Sequence, residues 1–160
     1  PDGRLLSLTR IGSGRSALQP SLVAQGPLHA WALLRRSGSA PARRVLVAHS
    51  DDGGIRWSPL QATNLPNPDA SVAALSGPNG ALLLAYNPSE RGRGVLSLAR
   101  SQDGHQWQWL RDLERGSDDD EFSYPFLIRD ADGTYHLIYT WQRRRMAYVQ
   151  FNEAWLEAAQ

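Results

Sequence analysis

The side chains best suited to chemistry in this chain are its arginines: all 17 basic residues are Arg and none is Lys. A guanidinium is a planar fork that meets both oxygens of a carboxylate, which the point charge of an ammonium does not do. Three of them stand together as Arg143-Arg144-Arg145 at the end of a β-rich run, where Arg143 is a candidate for the mouth of a pocket. The acidic run Asp118-Asp119-Asp120 has the composition of a solvated loop. His29 and His136 alternate with apolar residues, as structural strand positions do, and His49 and His105 adjoin a repeated box described below. No His/Asp/Glu group has metal-ligand spacing and there is no Cys, so neither a metal nor another cofactor is expected. No glycine loop resembles a phosphate cradle. With 17 basic against 16 acidic residues, the net charge of +1 gives no basis for a nucleic-acid or membrane partner.

What must position these side chains is a repeat. Ser50-Asp51-Asp52-Gly53-Gly54-Ile55-Arg56-Trp57 recurs 51 positions later as Ser101-Gln102-Asp103-Gly104-His105-Gln106-Trp107, and Phe151-Asn152-Glu153-Ala154-Trp155 keeps a remnant. Before each copy, two short apolar runs flank a turn: Gly26-Pro27, then Pro78-Asn79-Gly80, then Asp130-Ala131-Asp132-Gly133. Asn-Gly and Asp-Gly between β-rich runs signal hairpins, because glycine accepts the positive φ such turns require. Third strands are expected at 44–49, 94–100 and 146–151, and fourth strands after the first two boxes, near 60–63 and 109–113. Leu5–Thr9 has the look of a strand left from a preceding unit, and a short helical turn is expected over 153–159. Four-stranded units every 50 residues or so are the sequence image of β-propeller blades. Three fit in this chain, at about 16–64, 65–115 and 120–160. A closed ring takes roughly 4–8 blades, so the expectation is that a further N-terminal part or a second copy completes it. The opening Pro1-Asp2-Gly3, with no Met, reads like the middle of a β-turn and fits an N-terminal portion lying upstream.

The box Ser50–Trp57 is similar to the Asp-box of the sialidases (neuraminidases) and related BNR-repeat proteins. Further segments carry the resemblance in order: Leu65-Pro66-Asn67-Pro68-Asp69-Ala70-Ser71, Leu83–Ser89, Phe122-Ser123-Tyr124-Pro125, Asp132-Gly133-Thr134-Tyr135 and Phe151–Leu156. Together they cover about 19–156, and the subgroup most alike is that of bacterial predicted neuraminidases. The resemblance implies an all-β propeller of sialidase type, of which this chain is the C-terminal half: about three four-stranded blades of a six-bladed ring. It implies a retaining glycosidase acting on a carboxylated sugar such as sialic acid, and a periplasmic or secreted setting for a glycan-degrading enzyme.

The resemblance also implies a site. Arg35 and Arg93 match the second and third arginines of a carboxylate-clasping triad, with Arg91 a weaker match for the third; Arg143 and Asn67 are expected to join them in binding substrate. Tyr124 matches the tyrosine nucleophile. A phenol with a pKa of about 10 needs a base beside it. The family base stands sixteen residues before the second arginine, and that position here is Gln19, an amide that cannot take a proton. Glu121 is the substitute nearest in sequence, although strand alternation would send it to the face opposite Tyr124 unless the chain turns there. Thr140 stands where sialidases carry a glutamate that braces the first arginine. Two other readings stay open: a non-catalytic carbohydrate-binding or structural propeller that kept the clasp and lost the base, and a different sugar-processing propeller using paired carboxylates.

Overall fold

The computed structural model describes residues 3–14, 16–38 and 42–158. The turn expected at Pro1-Asp2-Gly3 falls mainly outside these residues, as does Ala159. Three antiparallel sheets follow one another along the chain. The first is formed by β1 (Ala17–Gln25), β2 (His29–Arg36), β3 (Arg44–Ser50) and β4 (Gln61–Pro66), and the second by β5 (Ala73–Ser76), β6 (Leu82–Tyr86), β7 (Val95–Ser101) and β8 (Trp107–Arg115). The third has three strands rather than four: β9 (Phe122–Arg129), β10 (Tyr135–Trp141) and β11 (Arg145–Phe151). In each sheet the strands pair in chain order, the meander expected of a propeller blade.

The blades stack face to face. β1 lies beside β5, and β5 beside β9, so the first strand of every blade is the inner one. Ser21 on β1 fastens the first pair, its Oγ accepting from the Ala74 amide at 2.8 Å. Val23, Leu33, Val45 and Val47 of blade one pack on Val72, Leu82, Leu84 and Tyr86 of blade two. Leu83, Leu96 and Leu98, on the other face of blade two, pack on Leu127, Tyr135, Leu137 and Tyr139 of blade three. Each fully buried Leu or Val is worth about 1.5–3 kcal/mol, so these two seams hold the blades together.

The boxes are the turns between the third and fourth strands. In the first, Ser50 Oγ accepts from the Gly54 amide at 2.9 Å and Asp52 Oδ1 from the Arg56 amide at 2.8 Å. In the second, Ser101 Oγ accepts from Gly104 at 2.9 Å and Asp103 Oδ1 from Gln106 at 2.8 Å. These bonds hold Asp52 and Asp103 below the usual carboxylate range, chiefly through the amides of Arg56 and Gln106. Gly104, at φ 71°, lies against Trp31: a Cβ there would fall 2.4 Å from the ring. Trp107 is buried in the seam between blades one and two, and Asn64 brackets its backbone, accepting from its amide at 2.9 Å and donating to its carbonyl at 2.8 Å.

At the third box position the chain turns instead into α1 (Glu153–Glu157), capped by Asn152, whose side chain accepts from the Trp155 amide at 3.0 Å. Arg111 of β8 lies 3.9 Å over the Trp155 ring and donates to the Ala158 carbonyl at 2.7 Å, which ties the helix to blade two. Leu5–Thr9 is not a strand: it has no partner strand among the described residues, its leucines are exposed, and Thr9 Oγ1 bonds only the Ile55 carbonyl of the first box. The outward face of blade three also exposes Phe126, Ile128, Ile138, Met146 and Tyr148. No helix among the described residues is long and apolar enough to cross a membrane.

Candidate functional site

At the end of the blades away from the boxes, each blade departs from regular strand geometry at one corresponding residue. Gln19, Asp69 and Tyr124 have φ of 47°, 63° and 54°, the left-handed region that residues with a Cβ seldom enter. Two of these breaks coincide with bulges, where β1 slips its register on β2 after Leu18 and β9 slips on β10 after Ser123. The extra residue breaks strand alternation, and this is how Glu121 and Tyr124 come to face the same arginine. The boxes lie at the opposite ends of the strands: Ala30 pairs with Ser50, whereas Leu18 pairs with Arg35. At about 3.3 Å per residue the two ends are roughly 17 Å apart.

Arg35, from β2, and Arg93, from the loop before β7, meet at Asp69. The Asp69 carbonyl accepts from Arg35 Nη1 at 3.0 Å and from Arg93 Nη2 at 2.9 Å. Its Oδ2 accepts from Ser37 Oγ at 3.1 Å, and its Oδ1 lies 3.4 Å from Arg35 Nε. Arg93 continues to blade three, where Nη1 donates to Glu121 Oε1 at 3.3 Å and the guanidinium lies 5.6 Å from the centre of the Tyr124 ring. Tyr124 is about half exposed, so its phenol is open to a ligand. Glu121 is held from three sides: Arg93, Arg143 Nε at 2.7 Å from Oε2, and Ser123 Oγ, which donates to Oε1 at 2.7 Å. Burial works to raise its pKa but is outweighed by the Ser123 and Arg143 hydrogen bonds and the arginine charges, so it stays below the ordinary glutamate value. The same contact raises Arg143, which is otherwise exposed.

The structure therefore brings Arg35, Arg93, Arg143, Glu121 and Tyr124 into one connected cluster. Gln19 is exposed on the same end, at the blade-one counterpart of Tyr124, and makes no side-chain hydrogen bond to another described residue. Arg91 is exposed, with its amide bonded to Ser89 Oγ, and Thr140 Oγ1 approaches only the Met146 sulfur. Asn67 cannot reach a ligand as expected. It is fully buried, its Nδ2 donates to the Ala70 carbonyl at 2.8 Å, and its Oδ1 accepts from the Ala70 amide at 3.0 Å. Its part is to close the turn that carries Asp69. Asn87 does similar work one loop on, donating from Nδ2 to the Val95 carbonyl at 2.6 Å and the Phe122 carbonyl at 2.9 Å, which docks the Arg93 loop on blade three. Among the described residues no group of His, Asp and Glu is placed to hold a metal.

A family model described as a BNR repeat-like domain matches residues 1–137. The chain belongs to this BNR repeat-like family. Its fold is that of the sialidase-type propellers. It superposes on the NanB sialidase of Streptococcus pneumoniae with a TM-score of 0.68 at 14% identity, over 91% of this chain and 25% of that one. An intramolecular trans-sialidase from Ruminococcus gnavus, solved with oseltamivir carboxylate, gives 0.67 at 17% identity, over 88% of this chain and 34% of that one. An α-L-arabinofuranosidase from Fusarium graminearum gives 0.61 at 16% identity, over 84% and 44%. No curated protein matches. This BNR-family chain thus spans between 25% and 44% of the length of these three solved chains.

Proposed function

We propose that the arginine end of the blades binds a carboxylated sugar such as sialic acid, and that in the whole protein it forms part of a retaining, sialidase-like glycosidase site. The observation that carries this reading is the convergence of Arg35 and Arg93, from two blades, on one acceptor beside the exposed Tyr124. Two forks held side by side meet the two oxygens of a carboxylate, with Arg143 at the rim as a third donor. Tyr124 acts as the nucleophile: its phenol oxygen bonds the anomeric carbon as the glycosidic C–O bond breaks. The aglycone leaves as an alcohol on taking a proton from water, and water then cleaves the tyrosyl bond to release the sugar. A neutral phenol does this without setting a second anion against the carboxylate of the sugar. Its proton goes to Glu121, a weak base because its pKa is lowered and both oxygens are already engaged. Gln19 offers no base.

That weakness favours a second reading, carbohydrate binding with little or no turnover. A paired-carboxylate mechanism on another sugar has less support, because Asp69 and Glu121 both lie against arginines. In either of the first two readings Arg35→Ala in the whole protein should weaken N-acetylneuraminate binding at least about tenfold, the lower end for losing a charge-assisted hydrogen bond. Calorimetry reads this directly, and unchanged affinity would remove Arg35 from the site.

The exposed apolar face of blade three belongs to the same proposal. Contiguous apolar surface of this kind marks an interaction face, and here a further blade of the whole protein, or a second copy of this chain, covers it. By sedimentation the 160-residue chain is expected to self-associate, and a Phe126→Ser, Tyr148→Ser variant to do so less. A wild-type monomer that binds no hydrophobic dye would count against the covering.

A further inference from the structure

We infer that Asp69 is the positioning residue that spaces and aims Arg35 and Arg93 as a pair, and that it does so through its main-chain carbonyl. The inference rests on the reading of those two arginines as a carboxylate clasp. Asp69 lies between β4 and β5 at φ 63°, and its carbonyl oxygen takes Arg35 Nη1 at 3.0 Å and Arg93 Nη2 at 2.9 Å. Two like-charged forks thus share one acceptor, which sets their spacing. The surroundings hold the conformation. Asn67 pins Ala70 by both its amide and its carbonyl, which anchors the turn without the Asp69 side chain; the Ser37 bond to Oδ2 is an added contact.

Two buried polar atoms without hydrogen bonds, Arg35 Nε and Asp69 Oδ1, face one another 3.4 Å apart. Buried unpaired groups are rare and call for a reason. Here the two form an ion pair without an aligned hydrogen bond, whereas the main-chain carbonyl holds Arg35 by one at 3.0 Å. What residue 69 must supply is therefore tolerance of a positive φ. Asp and Asn enter that region at modest cost and Gly at none, while a β-branched side chain is a true outlier there.

The test is labelling of the full-length protein with the arginine reagent phenylglyoxal, mapped by mass spectrometry, with exposed Arg91 as internal standard. Asp69→Val is expected to raise the labelling of Arg35 and Arg93 about tenfold, equivalent to roughly 1.4 kcal/mol. Asp69→Asn and Asp69→Gly should stay within about threefold of wild type, since both keep the backbone conformation. If Asp69→Val does not fold, Asp69→Ala replaces it, because Ala and Gly differ here only in their tolerance of φ. Equal labelling of Gly and Val (or Ala) variants overturns the inference, as does Asp69→Gly exposing both arginines. A parallel arm adds N-acetylneuraminate to the wild type. If the sugar gives no protection while the Asp69 series behaves as stated, the sugar reading fails and the positioning role stands.

Discussion

Gln19→Glu in the whole protein should raise hydrolysis of a fluorogenic sialoside by about 10²–10⁴-fold, the usual worth of a well-placed general base. Gln19 and Tyr124 occupy corresponding positions on their blades' inner strands, with φ of 47° and 54°, and both side chains are exposed at the same end. An amide there can donate and accept hydrogen bonds but cannot carry a proton away from a phenol. A carboxylate there, with Arg35 paired across the strands from its neighbour Leu18, would be ionised above about pH 4.3 and free to accept. The gain should appear in kcat and disappear when Tyr124→Phe is added, because a base without its nucleophile has nothing to activate. If the wild type already turns over rapidly and Glu121→Gln abolishes it, Glu121 is the sole base and residue 19 is irrelevant. If no variant binds an acidic sugar, the clasp itself was misread.

The architecture was legible because its signals are local. The Ser-x-Asp boxes with their glycines and the Asn-Gly and Asp-Gly turns mark where each blade turns back, and the strands follow between them. The missing fourth strand of blade three also had a signal, since Phe151–Trp155 lacks the Ser and Gly of the box and runs instead into a helix capped by Asn152. Leu5–Thr9 is not the strand that its composition suggests, because β-rich composition does not supply a pairing partner. The candidate site was legible only through its proposed side chains. The resemblance points to Arg35, Arg93 and Tyr124 by residue type and position, whereas Asp69 contributes a carbonyl, which every residue has. Its one trace is the likeness of Gln19-Pro20-Ser21-Leu22-Val23-Ala24 to Asp69-Ala70-Ser71-Val72-Ala73-Ala74, which aligns two of the three positive-φ positions. Asn67 differs in the opposite sense: the resemblance implies a ligand contact, but complete burial with both amide atoms bonded inside its own turn makes it structural.

Glu121→Gln should lower the melting temperature at pH 7 by roughly 6–12 °C, from a loss of about 3 kcal/mol when a largely buried carboxylate facing arginines is removed. Glu121 is the junction of the cluster: it neutralises Arg93 and Arg143, takes the Ser123 hydroxyl, and its backbone accepts from the Gln142 amide at 2.7 Å. The Gln side chain keeps the size and can still accept from Ser123, but it leaves Arg93 with the Asp69 carbonyl and no carboxylate partner. The sign of the pH dependence follows from the lowered pKa of Glu121. A carboxylate whose pKa is depressed by folding binds fewer protons in the folded state, so its contribution is complete above the unfolded value of about 4.3 and is lost as pH falls through the lower folded value. Asp52, Asp103, Asp112, Asp120 and Asp130 are lowered as well and also make the wild type acid-sensitive. The diagnostic quantity is therefore the gap between wild type and Glu121→Gln, followed by thermal melts from pH 7 downward. The gap should be constant above about pH 5 and close below about pH 4 as Glu121 is protonated and comes to resemble Gln. A gap that persists unchanged into acid would mean that the variant acts through lost packing, and that Glu121 does not balance the charge of the arginine cluster.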